Sequence, residues 1–451
     1  MKKGKSTNCT LKNCITAFKH TALPVMFAVS FCFYGTTFAK IIFTDNFESE
    51  ATSYQNWIPV CAHENLLTFG NQHLIMDNQD PTYCAFAVRE IKTALPEFTF
   101  SASIEASSPG AGLFFCIEDS GSYYIGNAVI LADNEILFMK YDSSSAKVTA
   151  RIETPFIKPL SNDLQISKKD SLCNVFCNGY FCGSFTLSSS GTYFALMVQP
   201  SIKATFDNIS IEDIFKDSLQ SKPFHDDFCS ANNFGWSVID FAQNSRTDSS
   251  LVVKTGKNQS FFSYVPIPLG DFSVKSILTP KNDSSSSLFG IFLRVKKSDS
   301  ISDFLFGINN SSYLSEFYDT ESGIPSAYEN MILANGQNPH EKFTLEIKRT
   351  NGSSHLSING NMQKSCTITE EIIGAGIFAI ENLELHVHEF SIETFYTPET
   401  KSKLFTKTVK RPRVQTTTRY HDLLGRPLSE SAHFKNGKKL LVKPGIKKLA
   451  W

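Results

Sequence analysis

Apolar and polar residues alternate along most of this chain with a period of two, in short runs broken by Gly, Asn, Asp and Ser. Phe98, Phe100, Ala102 and Ile104 share one side of a stretch whose other positions are Thr99, Ser101 and Ser103, the pattern of a half-buried strand. Phe272, Val274 and Ser276 repeat it. Gly112–Ile117 and Leu288–Leu293 are continuous apolar runs, short enough to be strands buried on both faces. Cys177-Asn178-Gly179-Tyr180 and Ile358-Asn359-Gly360-Asn361 follow apolar runs. Their Asn-Gly pairs predict type I′ hairpins, because both central positions need positive φ. Beyond the first 39 residues no stretch sustains a helical period. The chain therefore reads as all-β, a sandwich or barrel.

The elements also come in the same order twice. Phe43-Thr44-Asp45-Asn46-Phe47 returns as Phe224-His225-Asp226-Asp227-Phe228, and Ser210-Ile211-Glu212 returns as Ser391-Ile392-Glu393. Each copy lies 181 residues downstream, as does Asn359-Gly360 from Asn178-Gly179. One spacing held at the front, the middle and the back predicts a duplicated module, and so long a period predicts two complete domains rather than a solenoid. The expected boundaries are 40–216 for the first domain, 217–223 for a linker and 224–396 for the second.

Within each module the order is an Asp-acidic/amide-Phe opening, a Trp about ten residues on (Trp57, Trp236), and a Gly-(Leu/Ile)-Phe strand. A Leu-X-Ile strand, the Asn-Gly hairpin, a Gly-Ile-Phe-Ala strand and a closing Ile/Phe-Ser-Ile strand follow. Gly376–Ala379 is matched loosely by Gly191–Ala195. This order resembles the concanavalin A-like (laminin-G-like) jelly-roll superfamily. The resemblance implies an all-β protein of two tandem concanavalin A-like jelly-roll sandwiches with a short basic C-terminal tail. The superfamily includes lectins, glycosidases, carbohydrate-binding modules and adhesion domains, so function has to be argued from a site. In related modules a cation often ties the opening strand to the closing one. That implies a structural calcium held by Asp45, Glu48 and Asp207 in the first module and by Asp226, Asp227 and Glu389 in the second, hard oxygen donors of the kind calcium takes. The alternative is turn and strand-end residues that bond their own backbone.

Composition adds an export signature. Lys2, Lys3, Lys5, Lys12 and Lys19 precede an apolar run, Ala22–Ala39, and no acidic residue stands before Asp45. Thr37-Phe38-Ala39 suits a signal-peptidase cut, so 1–39 reads as a signal peptide. The run is short for a membrane span and carries Ser30, Thr36 and Thr37, so no transmembrane span is expected in the mature chain. Six cysteines then fall in the first module (Cys61, Cys84, Cys116, Cys173, Cys177, Cys182) and two in the second (Cys229, Cys366). Even counts predict disulfides formed in an oxidising compartment, with the pairing open. Cys173, Cys177 and Cys182 lack the paired knuckles of a zinc site. The 39 Phe suit sandwich cores.

From Glu399 onward, 14 Lys/Arg face three acidic residues, a net +11; with +5 on the first 39 residues and −1 overall, residues 40–396 carry −17. The tail divides into a basic linker, 397–418, and a compact unit, 419–451. Tyr420-His421-Asp422-Leu423-Leu424-Gly425-Arg426, then Asn436-Gly437 and Leu440-Leu441-Val442-Lys443, resembles the C-terminal sorting domain of type IX-secreted bacterial proteins. That resemblance implies export machinery as a partner. The alternative is a basic tail anchored on an acidic surface polymer. Few aromatics to stack bases argue against nucleic acid.

No Gly-X-Ser-X-Gly elbow, Walker loop or His-Glu-X-X-His is present. Glu384-Leu385-His386-Val387-His388-Glu389 resembles the Glu-X-Asp-X-X-Glu strand of laminarinase-like enzymes, but His386 replaces the central Asp and the segment sits on the closing strand. Glu384 and Glu389 are the catalytic candidates that remain. For sugar binding, Tyr123, Tyr124, Tyr313, Phe317 and Tyr318 lie in or beside polar central segments. Trp57 and Trp236, at equivalent positions, suit packing. The expectation is a secreted or cell-surface, non-catalytic protein. Its two modules are expected to bind polysaccharide or surface glycan, with avidity from pairing. A glycoside hydrolase and a structural or adhesive surface protein are the alternatives.

Overall fold

The computed structural model describes residues 40–395 apart from 61–66, 120–123, 143–145, 188–190, 231, 241–242, 282–286, 298–299, 310–311, 320–324 and 333–340. For 51, 54, 240, 312–319 and 325–332 only the backbone is described. The expected signal peptide, the basic tail, Cys61 and Tyr123 lie outside the described residues.

Four antiparallel sheets form two sandwiches. The first sheet has the order β13 (Tyr180–Thr186), β12 (Leu172–Cys177), β11 (Ser161–Lys169), β6 (Glu97–Ala106), β15 (Lys203–Asp213), β4 (His73–Asp77), β3 (Leu67–Gly70), with β1 (Lys40–Asp45) also on β15. The second, facing it, is β10 (Ala146–Glu153), β9 (Glu135–Tyr141), β8 (Tyr124–Leu131), β7 (Ala111–Asp119), β14 (Tyr193–Val198), β5 (Ala85–Glu90), β2 (Ile58–Val60). The third is β18 (Gln243–Arg246), β19 (Leu251–Thr255), β30 (Leu383–Phe395), β21 (Asp271–Lys281), β26 (Phe343–Thr350), β27 (Ser353–Ile358), β28 (Asn361–Thr367), with β16 (Phe224–Asp226) on β30. The fourth is β17 (Ser237–Asp240), β20 (Ser260–Val265), β29 (Glu371–Ile380), β22 (Leu288–Lys297), β23 (Ser300–Ile308), β24 (Ser312–Asp319), β25 (Pro325–Ile332). The central pairs β6–β15, β7–β14, β21–β30 and β22–β29 join strands far apart in sequence, because the chain crosses from sheet to sheet. The fold is all-β, two jelly-roll sandwiches.

Alternation decides which side chains meet between the sheets. Phe98, Phe100 and Ile104 of β6 face Leu113 and Phe115 of β7 and Phe194 of β14, all nearly inaccessible. Phe194 meets Phe98 and Phe100 edge to face at 5.0 and 5.2 Å, a geometry that the ring quadrupole favours. Phe272 and Val274 face Ile291, Leu293 and Ile377 in the second sandwich. Both Asn-Gly hairpins form as predicted, with Asn178 and Asn359 at φ 54° and 50° and Gly179 and Gly360 at 83° and 78°.

The segment between the sandwiches is packed. Asp217 caps a single 3-10 turn, Ser218–Gln220. Ser221 accepts from Phe181 N through its hydroxyl (3.0 Å) and from Thr394 Oγ1 through its carbonyl (3.2 Å), which ties it to β13 and β30. Lys222 N donates to Gly179 O at 3.0 Å, and its ammonium lies 4.9 Å from the Tyr180 ring centroid. Phe156 stacks on Tyr180 at 4.5 Å, and Phe224 and Phe234 each approach Tyr180 within about 6 Å. Residues 41–395 belong to one compact unit.

The cysteines correct the sequence reading. All seven in the described residues are free thiols. In the second sandwich the reason is distance. Cys229 follows β16 at one side of the third sheet, and Cys366 is on β28 at the other. Five strand spacings separate β16 from β28, roughly 24 Å, where a disulfide needs Cα atoms within about 7 Å. In the first, Cys84 belongs to an outer-face cluster while Cys116, Cys173 and Cys177 line the core.

Candidate functional site

The repeated opening motif is a hydrogen-bonded clamp. Asp45, buried, accepts from Phe47 N (3.0 Å), Ser53 Oγ (2.9 Å) and Trp57 Nε1 (3.0 Å). Asp226 accepts from Phe228 N (2.8 Å), Trp236 Nε1 (2.7 Å) and both terminal nitrogens of Arg246 (3.2 and 2.9 Å). Phe47 and Phe228, at φ 55° and 57°, make the tight turn that brings the amide onto the carboxylate. The oxygens of Asp45 and Asp226, expected as calcium ligands, accept from protein donors in both copies. The other expected ligands lie elsewhere: Glu48 is exposed, Asp207 bonds Asn208 N at 2.7 Å, Asp227 is exposed and caps Cys229 N at 3.1 Å, and Glu389 is half-buried on β30. No group of three His, Cys, Asp or Glu suited to a metal forms among the described residues. Trp57 and Trp236 are buried in the core, as packing required. The signal for the clamp was the Trp that follows the Asp in both copies, 12 residues on in the first and 10 in the second.

The two acidic candidates on β30 lie well apart. Leu383, Leu385 and Val387 point inward, leaving Glu384 and His386 on the outer face of the third sheet. Glu384 takes His386 Nε2 at 3.0 Å and Lys254 Nζ at 3.1 Å. The bond from His386 first, then that from Lys254, holds its carboxyl below the usual range, the opposite of what a general acid needs. Five residues of extended chain put Glu389 roughly 15 Å away, beyond the separation of either glycosidase geometry. His388, its imidazole held below the ordinary range chiefly by burial, sits 3.0 Å from Thr279 Oγ1.

The outer faces of the second and fourth sheets each carry an apolar cluster. On the second sheet Phe86, Val88, Phe114, Ile130, Met139 and Met197 form a buried apolar cluster. Tyr124 belongs to this cluster, 1 % exposed and 5.7 Å from the Tyr193 ring, so it presents no face for a sugar. Burial pushes its hydroxyl up to about 12.

On the fourth sheet Phe262, Phe292, Leu305 and Phe378 make the floor, with Tyr264, Leu288 and Ile380 partly exposed beside them. Phe262 stacks on Phe378 at 5.6 Å and meets Phe292 edge to face at 5.4 Å. Within this face, directly paired across β22 and β23, stand Arg294 and Asp303. Asp303 is 0 % exposed, and neither of its oxygens has a hydrogen-bond partner. The nearest cation is Arg294 Nη1 at 3.8 Å, too long for a hydrogen bond. Burial pushes the Asp303 carboxyl up to about 6 against the opposing pull of Arg294. The guanidinium lies 4.8 Å from the centroid of the Tyr264 ring. Sequence reading missed both residues. Their signal was a charge set into an apolar strand, Leu293-Arg294-Val295 and Asp303-Phe304-Leu305. Of the predicted platforms, the backbone of Tyr318 pairs with Asp303 and that of Tyr313 with Ile308.

No family model and no curated protein matches the sequence. Solved structures do. A β-glucanase of Bacillus licheniformis matches at 10 % identity over 39 % of this chain and 99 % of its own, with a TM-score of 0.33. The carbohydrate binding module CBM66 of Bacillus subtilis matches at 16 % identity over 35 % and 95 %, with a TM-score of 0.29. A laminarinase of a Flavobacterium species matches at 7 % identity over 38 % and 98 %, with a TM-score of 0.30.

Proposed function

We propose that this is an extracytoplasmic, non-catalytic glycan-binding protein whose binding face is the outer side of the fourth sheet. One observation carries the reading: Arg294 Nη1 and both Asp303 oxygens are buried without hydrogen-bond partners, beside the half-exposed ring of Tyr264. Glycans ask for that combination, because a pyranose offers an apolar ring face to aromatic side chains and hydroxyls to a few fixed polar groups. The basic, then apolar, leader supports export.

The test is a polysaccharide array probed with the purified full chain, with reducing ends assayed in parallel. Binding to one or more polysaccharides without release of reducing ends is the expected result. Silence across the array would remove the glycan reading, and release of reducing ends would remove the non-catalytic one.

A further inference from the structure

We infer that Arg294 and Asp303 form a hydroxyl-binding site for a neutral sugar, closed in this structure by the ring of Tyr264. The inference rests on the reading of this face as glycan-binding and goes on to name the site and the ligand class. The two groups stand 3.8 Å apart, with Arg294 Nη1 and both Asp303 oxygens buried and without hydrogen-bond partners. A hydroxyl oxygen about 2.8 Å from each would fit between them. It would donate its proton to the carboxylate and accept from the guanidinium, the two roles that one hydroxyl can fill at once. A carboxylate or sulfate cannot fill them, since it has no proton to give Asp303 and would meet two bare, negatively charged oxygens. The acidic body, −17 over residues 40–396, opposes anionic polymers as well.

Tyr264 is the movable part. It stands on β20 and reaches Arg294 on β22 by crossing β29 at Gly374, where an added Cβ would come within 2.7 Å of Tyr264 Cδ2. The ring is half-buried. A sugar ring that displaced it would take over its place against the guanidinium and gain the buried carboxylate.

The experiment measures binding of the full chain to laminarin and dextran, both neutral, and to alginate, which is anionic. Asp303→Asn, Arg294→Gln and Tyr264→Ala are compared with the parent, and urea midpoints show whether each variant is folded. We expect binding to at least one neutral polymer, none to alginate, and at least a tenfold loss in Asp303→Asn at an undiminished urea midpoint. Tyr264→Ala should associate faster. Undiminished binding by Asp303→Asn would overturn the site while leaving the glycan reading intact, and a preference for alginate would overturn the ligand class. An unchanged association rate in Tyr264→Ala would overturn the closure. Absence of all polysaccharide binding would overturn both the inference and the reading beneath it.

Discussion

Replacing Asp303 by Asn should make this protein more stable at neutral pH and remove part of its pH dependence. The carboxyl is 0 % exposed, and burial lifts it from an ordinary 3.8 to about 6. The folded state therefore holds the proton more tightly than the unfolded chain. Stability contributed in this way is fully present below 3.8 and is lost as the pH rises through 6. The shift is about two units at roughly 1.4 kcal/mol each, or about 3 kcal/mol between pH 3.8 and neutrality. Arg294 is already counted in that balance, since its attraction lowers the value that burial raises. Asparagine mimics the neutral acid and keeps an acceptor facing Nη1. Urea unfolding at pH 4.5, 6 and 7.5 measures the effect. The parent should lose stability across the series relative to Asp303→Asn, and the variant should lead at pH 7.5 by up to about 3 kcal/mol. A variant less stable than the parent at pH 7.5 would show that the attraction of Arg294 outweighs desolvation, and the reasoning would fail.

Four other outcomes follow from the fold. Asp226→Ala removes the carboxylate that accepts from Trp236 Nε1 and from both terminal nitrogens of Arg246, leaving Arg246 with Asn233 Oδ1 and Ser230 O, and should cost about 3 kcal/mol in urea unfolding. EDTA should leave the melting temperature of the parent unchanged, because protein donors already occupy the Asp45 and Asp226 oxygens. Gly360→Ala, at φ 78° with open space beside it, should cost about 1 kcal/mol from backbone strain alone. Gly179→Ala should cost more, because its Cβ would press on Lys222 over Tyr180. Thiol titration of the folded protein should label Cys229 first among the described cysteines, since it alone is exposed. Burial pushes the Cys116 and Cys182 thiols up to about 12, so they should react only on unfolding, and Cys229→Ser should remove the early phase.

The fold was legible where local chemistry dictates it. The two Asn-Gly turns take the positive φ that their residue types favour, and the alternation of Phe98, Phe100 and Ile104 gives one buried side. Leu288–Leu293 reads as buried on both faces, and it is: Leu293 faces the core while Phe292 faces outward under its aromatic neighbours. Partners distant in sequence were not legible. Nothing local in the sequence shows that the indole nitrogens of Trp57 and Trp236 bond Asp45 and Asp226. Tyr124 looks like an exposed platform because polar residues flank it, yet it packs into an apolar cluster on the outer face of its sheet, and alternation cannot reveal that. Arg294 and Asp303 are nine residues apart in the chain, and only the hairpin register sets them opposite each other.

The seam between the sandwiches decides how function is best tested. Phe156 and Phe224 are 0 % and 3 % exposed; Phe156 stacks on Tyr180 within the first sandwich, and Phe224 meets the same ring from the second. Phe224 also packs on Trp236 at 5.8 Å, so it belongs at once to the seam and to the clamp that opens the second sandwich. An aromatic side chain buries on the order of 150–250 Å², worth roughly 4–6 kcal/mol at about 25 cal/mol per Å² if fully exposed. Cutting within 217–223 would uncover parts of several such rings together with the hydrogen bonds at Ser221 and Lys222. That cost falls on the second sandwich, beside the same Trp236–Asp226 clamp, so weak binding by an isolated half would report damage to its opening strand as readily as a missing ligand site. Substitutions on the outer face of the fourth sheet, made in the intact chain, leave the seam whole and therefore test the site itself.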